Sequence, residues 1–250
     1  MSDAARSIVI DKRFCGPKSS GNGGYSAGLF AQAIDGPAAV MLKAPPPLDR
    51  PVSLRDAGEG AFEAVSGETV IAKIEPATVT VASPPIPDDA AVAQAHDDFL
   101  KDEDGFQIIP YCFVCGKERA PGDGLRIFSG PAPDSSVNAD FWTPAADLAG
   151  DDGLVRPEFL WAALDCPTAY ALRVGNRMTL LGRIAVEIFR RPEPGERLIA
   201  AAWREGEDGR KHYSSSVLLD EKRNIIAAAN TLWIELNDPA LIEKLRAENA

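Results

Sequence analysis

The spacing of apolar and polar residues along the chain falls into two runs with the same order. Between residues 157 and 172, Phe159, Leu160, Ala163, Leu164, Tyr170 and Ala171 recur at helical spacing, and Pro157 suits a first helical turn. The stretches 180–192, 195–207, 210–223 and 224–236 alternate instead with a period of two and are rich in β-branched and aromatic residues. Breakers at Pro192-Glu193-Pro194-Gly195 and Gly206-Glu207-Asp208-Gly209 separate them, which predicts antiparallel strands. Two further strands are predicted ahead of the helix, at 124–130 and 137–142. The first part of the chain repeats this order in shortened form: a helix over 23–34, then strands at 37–45, 51–57, 60–67 and 69–82. Its breaker "PPPLD" (45–49) stands where the second run has "RPEPG" (191–195).

Between the runs, residues 83–105 are rich in Pro and Asp and read as a connector with a short helix at about 88–101. This divides the chain into an N-terminal repeat (1–82), a connector (83–105) and a C-terminal repeat (106–250). One helix against one antiparallel sheet buries the helix on a sheet face, and two such units can complete each other by pairing sheet edges. The expected fold class is therefore α+β, two repeats joined as a single-chain pseudo-dimer.

Composition narrows the partners. With 45% hydrophobic and 25% charged residues the chain is globular, and its net charge of -11 argues against nucleic acid or an anionic membrane surface, which need a basic face. No apolar run is long enough to span a bilayer, and the N-terminus lacks the order of an export signal, so a cytoplasmic protein is expected. The 4 cysteines make no disulfide framework. Cys112 and Cys115 form a C-x-x-C pair, half of a zinc site or a redox motif, but Cys15 and Cys166 stand alone in sequence and the only histidines are His96 and His212, so structural thiols at a strand-to-turn junction are expected and no metal or cofactor.

Several short stretches carry a resemblance. "CFVCG" (112–116), "GLRIF" (124–128), "ALD" (163–165), "RRPEPGERL" (190–198) and "IIAAANTLWIEL" resemble acyl-CoA thioesterases related to the 4-hydroxybenzoyl-CoA and phenylacetyl-CoA enzymes, and "NGGY" (22–25) resembles the helix start of double-hotdog thioesterases. The resemblance implies a double hotdog, two antiparallel sheets each wrapping a central helix, acting on an acyl-CoA or related thioester without a cofactor. Phenylacetyl-CoA-type members open their helix with His-Gly-Gly and carry an Asp nine positions after that His. Here Asn22-Gly23-Gly24 matches the opening in the first repeat, with Ala31 at the acid position; in the second, Asp165 stands at the acid position after Arg156-Pro157-Glu158.

Each repeat has kept one part of a site. A glycine-lined helix start offers uncovered amides to a thioester oxygen, and an acid seven positions along the same helix lies about 10 Å away. The acid must come from the other helix, so the resemblance implies one composite site: Gly23 and Gly24 as oxyanion donors, Asp165 as base or nucleophile. Asn22 and Gln32 are candidates to position substrate or water, with Tyr25 and Trp161 as pocket walls. The reverse pairing of Pro157 with Ala31 offers neither amide nor carboxylate. Set against this, Asp165 reads equally as a satisfied helix-face carboxylate and Gly23-Gly24 as a tight turn, in a non-catalytic acyl or acyl-CoA binder; pairing of such chains into homodimers is left open. Arg156, Arg173, Arg177, Arg183, Arg190 and Arg191 are candidates for CoA phosphates or solvated ends. His212 has no G-x-S-x-G nucleophile to serve.

Overall fold

The computed structural model describes residues 7–102, 109–175 and 177–249, so the expected boundary at 105/106 lies outside the described residues. The first half runs β1 (Ser7–Val9), α1 (Gly23–Ala31), β2 (Ala38–Leu42), β3 (Pro51–Gly58), β4 (Ala61–Ser66) and β5 (Thr69–Pro76). After α2 (Asp89–Lys101) come β6 (Gly130–Pro131), β7 (Val137–Trp142), α3 (Pro157–Ala171), β8 (Thr179–Ile188), β9 (Leu198–Asp208), β10 (Lys211–Leu219), β11 (Ile225–Glu235) and α4 (Pro239–Asn249).

The two expected sheets are one. All 11 strands among the described residues form a single sheet in the order β1-β3-β4-β5-β2-β8-β11-β10-β9-β7-β6. Its seam is the antiparallel pairing of β2 with β8, where Val40 opposes Ile184. Both residues are fully buried, so two separate sheets would each have left an apolar edge with unpaired amides. Outward from the seam the halves read alike: in each, the strand that follows the central helix comes first, then the fourth, third and second strands of its run.

Alternation along the second-half strands sorts side chains to two faces. Ala200, Leu218, Ala227 and Ala229 join the larger core with Phe30, Phe113, Phe159 and Leu164 from around the two central helices. Ala201, Val217 and Ala228 point the other way and pack against Val92 of α2. The connector is thus a cover for the outer face, capped by Asp88, whose carboxylate accepts from the Ala91 amide at 2.9 Å.

Two predicted strands are corrected. Residues 125–128 form no strand; Leu125 and Ile127 donate their amides to Phe113 O (2.8 Å) and Val114 O (2.9 Å), spending their backbone bonds on the turn that holds the C-x-x-C pair. The strand expected to reach residue 82 ends at Pro76, a residue without an amide for the ladder. Among the described residues no helix is long and apolar enough to cross a membrane.

Candidate active site between the two central helices

The central helices lie antiparallel and very close. Gly24 of α1 faces Asp165 and Trp161 of α3, and Gly28, one turn on, faces Glu158 and Trp161. A Cβ added to Gly24 would sit 2.5 Å from Asp165 Cβ and 2.7 Å from Trp161 O; one added to Gly28 would sit 2.7 Å from Glu158 Cα. These glycines let two backbones meet where any side chain would hold them apart. The sequence carried this signal as two small residues four apart on one helix face.

The crossing brings Asp165 to the start of α1. The Gly24 amide donates to Asp165 Oδ2 at 2.8 Å. Oδ1 is buried and has no hydrogen-bond partner among the described residues. Burial pushes the Asp165 carboxyl up to about 7, against the opposing pull of the Gly24 amide; Cys112 nearby adds to the rise, and the Asn22 side chain works against it.

This corrects one expected role. The Gly24 amide is occupied by the acid and so is not an open donor. The Gly23 amide, in the first turn of α1, has no partner among the described residues. Asn22 caps the helix, its Oδ1 accepting from the Tyr25 amide at 2.9 Å, while its Nδ2 faces Cys112 Sγ (3.7 Å) and Cys166 Sγ (3.8 Å).

Asn22, Gly23 and Asp165 open onto a cavity of about 450 Å³ whose walls are mostly apolar, among them Leu42, Leu181 and Trp233. Leu241, Leu245 and Asn249 of α4 also line it, a contribution the mixed charges of the C-terminus did not advertise. The other candidate substrate-binding residues lie elsewhere. Tyr25 points into the core, its ring stacked on Phe14 at 4.2 Å between centroids. Gln32 sits at the far end of α1, bonded to Glu158 at 3.3 Å. Together with Trp161, Ala31, Pro157, Arg190 and Arg191 it lines a second cavity of about 430 Å³. The reason is helical rise: Gln32 is nine residues from Gly23, about 13 Å along the axis.

Three cysteines from separate parts of the sequence come together in the fold. Cys166, isolated in sequence, follows Asp165 on α3 and meets the C-x-x-C turn, so that the sulfurs of Cys112, Cys115 and Cys166 all lie within 4.8 Å of one another. Hydrogen bonds from the Cys115 and Cys166 thiols hold Cys112 well below the ordinary thiol range, and those two are pushed well above it. Cys15 lies apart from this cluster, accepting from Arg119 at 3.2 Å.

All six candidate arginines have protein partners: Arg156 with Glu158, Arg173 with Asn138, Arg177 with Glu235, Arg183 with Glu75, Arg190 with Glu196 and Arg191 with Asp152. His212 Nε2 meets Glu235 at 3.1 Å.

No protein-family model matches the sequence, and neither does any curated protein. Solved structures do match in shape. A putative thioesterase II from Thermobifida fusca superposes with a TM-score of 0.62 at 14% identity, covering 95% of this chain and 94% of the other. A conserved protein with a hot dog fold from Alicyclobacillus acidocaldarius gives 0.58 at 11%, over 95% and 96%. The chain has the hotdog fold. An acyl-CoA thioesterase II from Mycobacterium marinum shares this hotdog architecture, with a TM-score of 0.56 at 13% identity over 94% and 93% of the two chains.

Proposed function

We propose that this hotdog chain is an acyl-CoA thioesterase, a double hotdog whose two repeats form a pseudo-dimer with one working site. The supporting observation is the Asp165 carboxylate, anchored through Oδ2 on the Gly24 amide and presenting an unpartnered Oδ1 where the 450 Å³ cavity begins. A group that must take a proton from water needs such a fixed lone pair, left free of protein partners.

In this reading the acyl chain lies along the apolar wall and the thioester carbonyl oxygen accepts from the Gly23 amide, at the positive end of α1. Asp165 Oδ1 takes a proton from a water that attacks the carbonyl carbon. The tetrahedral intermediate collapses with cleavage of the carbon–sulfur bond, and the departing thiolate recovers that proton, leaving a carboxylic acid and a thiol. The dead counterpart is the opposite end of the helix pair, where Pro157 has no amide hydrogen and Ala31 no carboxylate.

The test is turnover of an acyl- and aryl-CoA panel by wild type and Asp165→Asn. Hydrolysis of at least one thioester, falling about 10²- to 10⁴-fold in the variant, is expected. Equal turnover by both proteins sinks the assignment, and tight acyl-CoA binding without turnover establishes the competing reading of a non-catalytic binder.

A further inference from the structure

Three thiols from separate parts of the sequence converge at the cavity wall, and nothing in thioester hydrolysis uses them. Cys112 and Cys115 sit on a turn closed by the Gly116 amide on Cys112 O at 2.9 Å. A Cβ at Gly116 would lie 2.5 Å from Pro110 O, so the turn accepts only glycine there. The backbone amides of Cys115 and Val114 both donate toward the Cys112 sulfur. Cys166 closes the group from α3, its sulfur 3.6 Å from that of Cys112. Polar side chains then surround the sulfurs: the Asn22 amide on Cys112 and Cys166, and the Tyr170 hydroxyl on Cys115 at 3.4 Å.

We propose that Cys112, Cys115 and Cys166 form a three-sulfur site for a thiophilic cation, Zn²⁺, whose remaining coordination position opens onto the cavity. Zinc–sulfur bonds of about 2.3 Å in a tetrahedron set the sulfurs about 3.8 Å apart, close to the spacing of Cys112 and Cys166. A disulfide needs sulfurs at about 2.0 Å, and a third thiol would then have no role. All-sulfur donors select soft or borderline ions over Mg²⁺ or Ca²⁺. Amides and a hydroxyl directed at the sulfurs are the outer partners that thiolate sites employ to hold their ligands. All three cysteines line the same cavity as Asp165, so the three-ligand face is accessible from it. The site is independent of whether the chain hydrolyses thioesters.

Full-length protein, stripped of metal under reducing conditions, is titrated with Co²⁺ alone. One equivalent per chain is expected to produce sulfur-to-cobalt charge-transfer absorption in the near ultraviolet and the visible bands of a tetrahedral ion, both abolished by Zn²⁺. Cys166→Ser and Cys115→Ser each weaken Co²⁺ binding by at least about tenfold, the smallest loss typical of disturbing even an outer partner, while Cys15→Ser leaves the titration unchanged. Absence of these bands in folded wild-type protein whose 4 thiols all react with a thiol reagent after denaturation overturns the site. Bands that persist undiminished in both serine variants overturn it equally.

Discussion

The α1–α3 pair has two ends built on the same close crossing, and they are furnished differently. At one end Asp165 reaches the first turn of α1 and meets a backbone amide; at the other, Glu158 meets the Gln32 side chain at 3.3 Å and Arg156 at 3.6 Å. Both carboxylates are buried, at 2% and 3% exposure, so burial alone does not distinguish them. The helix starts do. Asn22 caps α1 with its side chain and leaves Gly23 bare, whereas Arg156 makes no side-chain cap and is followed by Pro157. A proline at the first helical position costs no stability, but it removes the hydrogen that an oxyanion would need. The lesson is that helix stability and anion binding draw on the same few amides, and each end has resolved the competition differently.

That contrast can be broken in several ways. The largest effect is expected from exchanging the acids for amides: Asp165→Asn lowers kcat by about 10²- to 10⁴-fold, while Glu158→Gln stays within about twofold, as a change remote from the chemistry should. Steady-state kinetics on one acyl-CoA decide it, and a comparable loss in both variants would erase the distinction between the ends.

Gly24→Ala and Gly28→Ala force the helices apart from opposite ends. Each is expected to cost about 1–3 kcal/mol by overpacking, read as a lower denaturation midpoint, yet only Gly24→Ala also disturbs the Asp165 anchor and turnover. Ala31→Asp places an acid at the Pro157 end without an amide to receive it. Thermal melts should show a loss of about 1–3 kcal/mol for the unsatisfied buried group, and kcat should not rise; a rise would mean that Pro157 is no obstacle. The smallest effect is at the cap: Asn22→Ala costs about 1 kcal/mol of stability, and Asn22→Ser, which keeps a capping oxygen, recovers most of it.

Much of this was legible in the sequence where one local rule dominates. The strands of the second half and both central helices follow from apolar runs bounded by proline or glycine, even though the helices are buried nearly all round and the strands pack on both faces. The complementary glycines and Asp165 could be found by comparing the two repeats. What escaped depends on long-range contact. Residues 125–128 alternate like a strand, but Arg126 has a positive φ of 54° and the neighbouring amides bind the cysteine turn. Cys166 is 51 residues from Cys115, a separation at which no spacing rule for metal ligands operates. Gly24 read as an oxyanion donor because its place at a helix start is visible in sequence, whereas its closeness to Asp165 exists only once α3 is docked.

The β2–β8 seam has a consequence for concentration. Because the strand pairing that unites the halves lies within one chain, the meeting of Gly24 with Asp165 is a unimolecular event. A contact assembled from two separate chains would dissolve on dilution by mass action, whereas this one persists at any dilution at which the chain remains folded. Specific activity should therefore stay level from micromolar stocks to the picomolar range, and the two helix starts need only be complementary to each other, never to themselves.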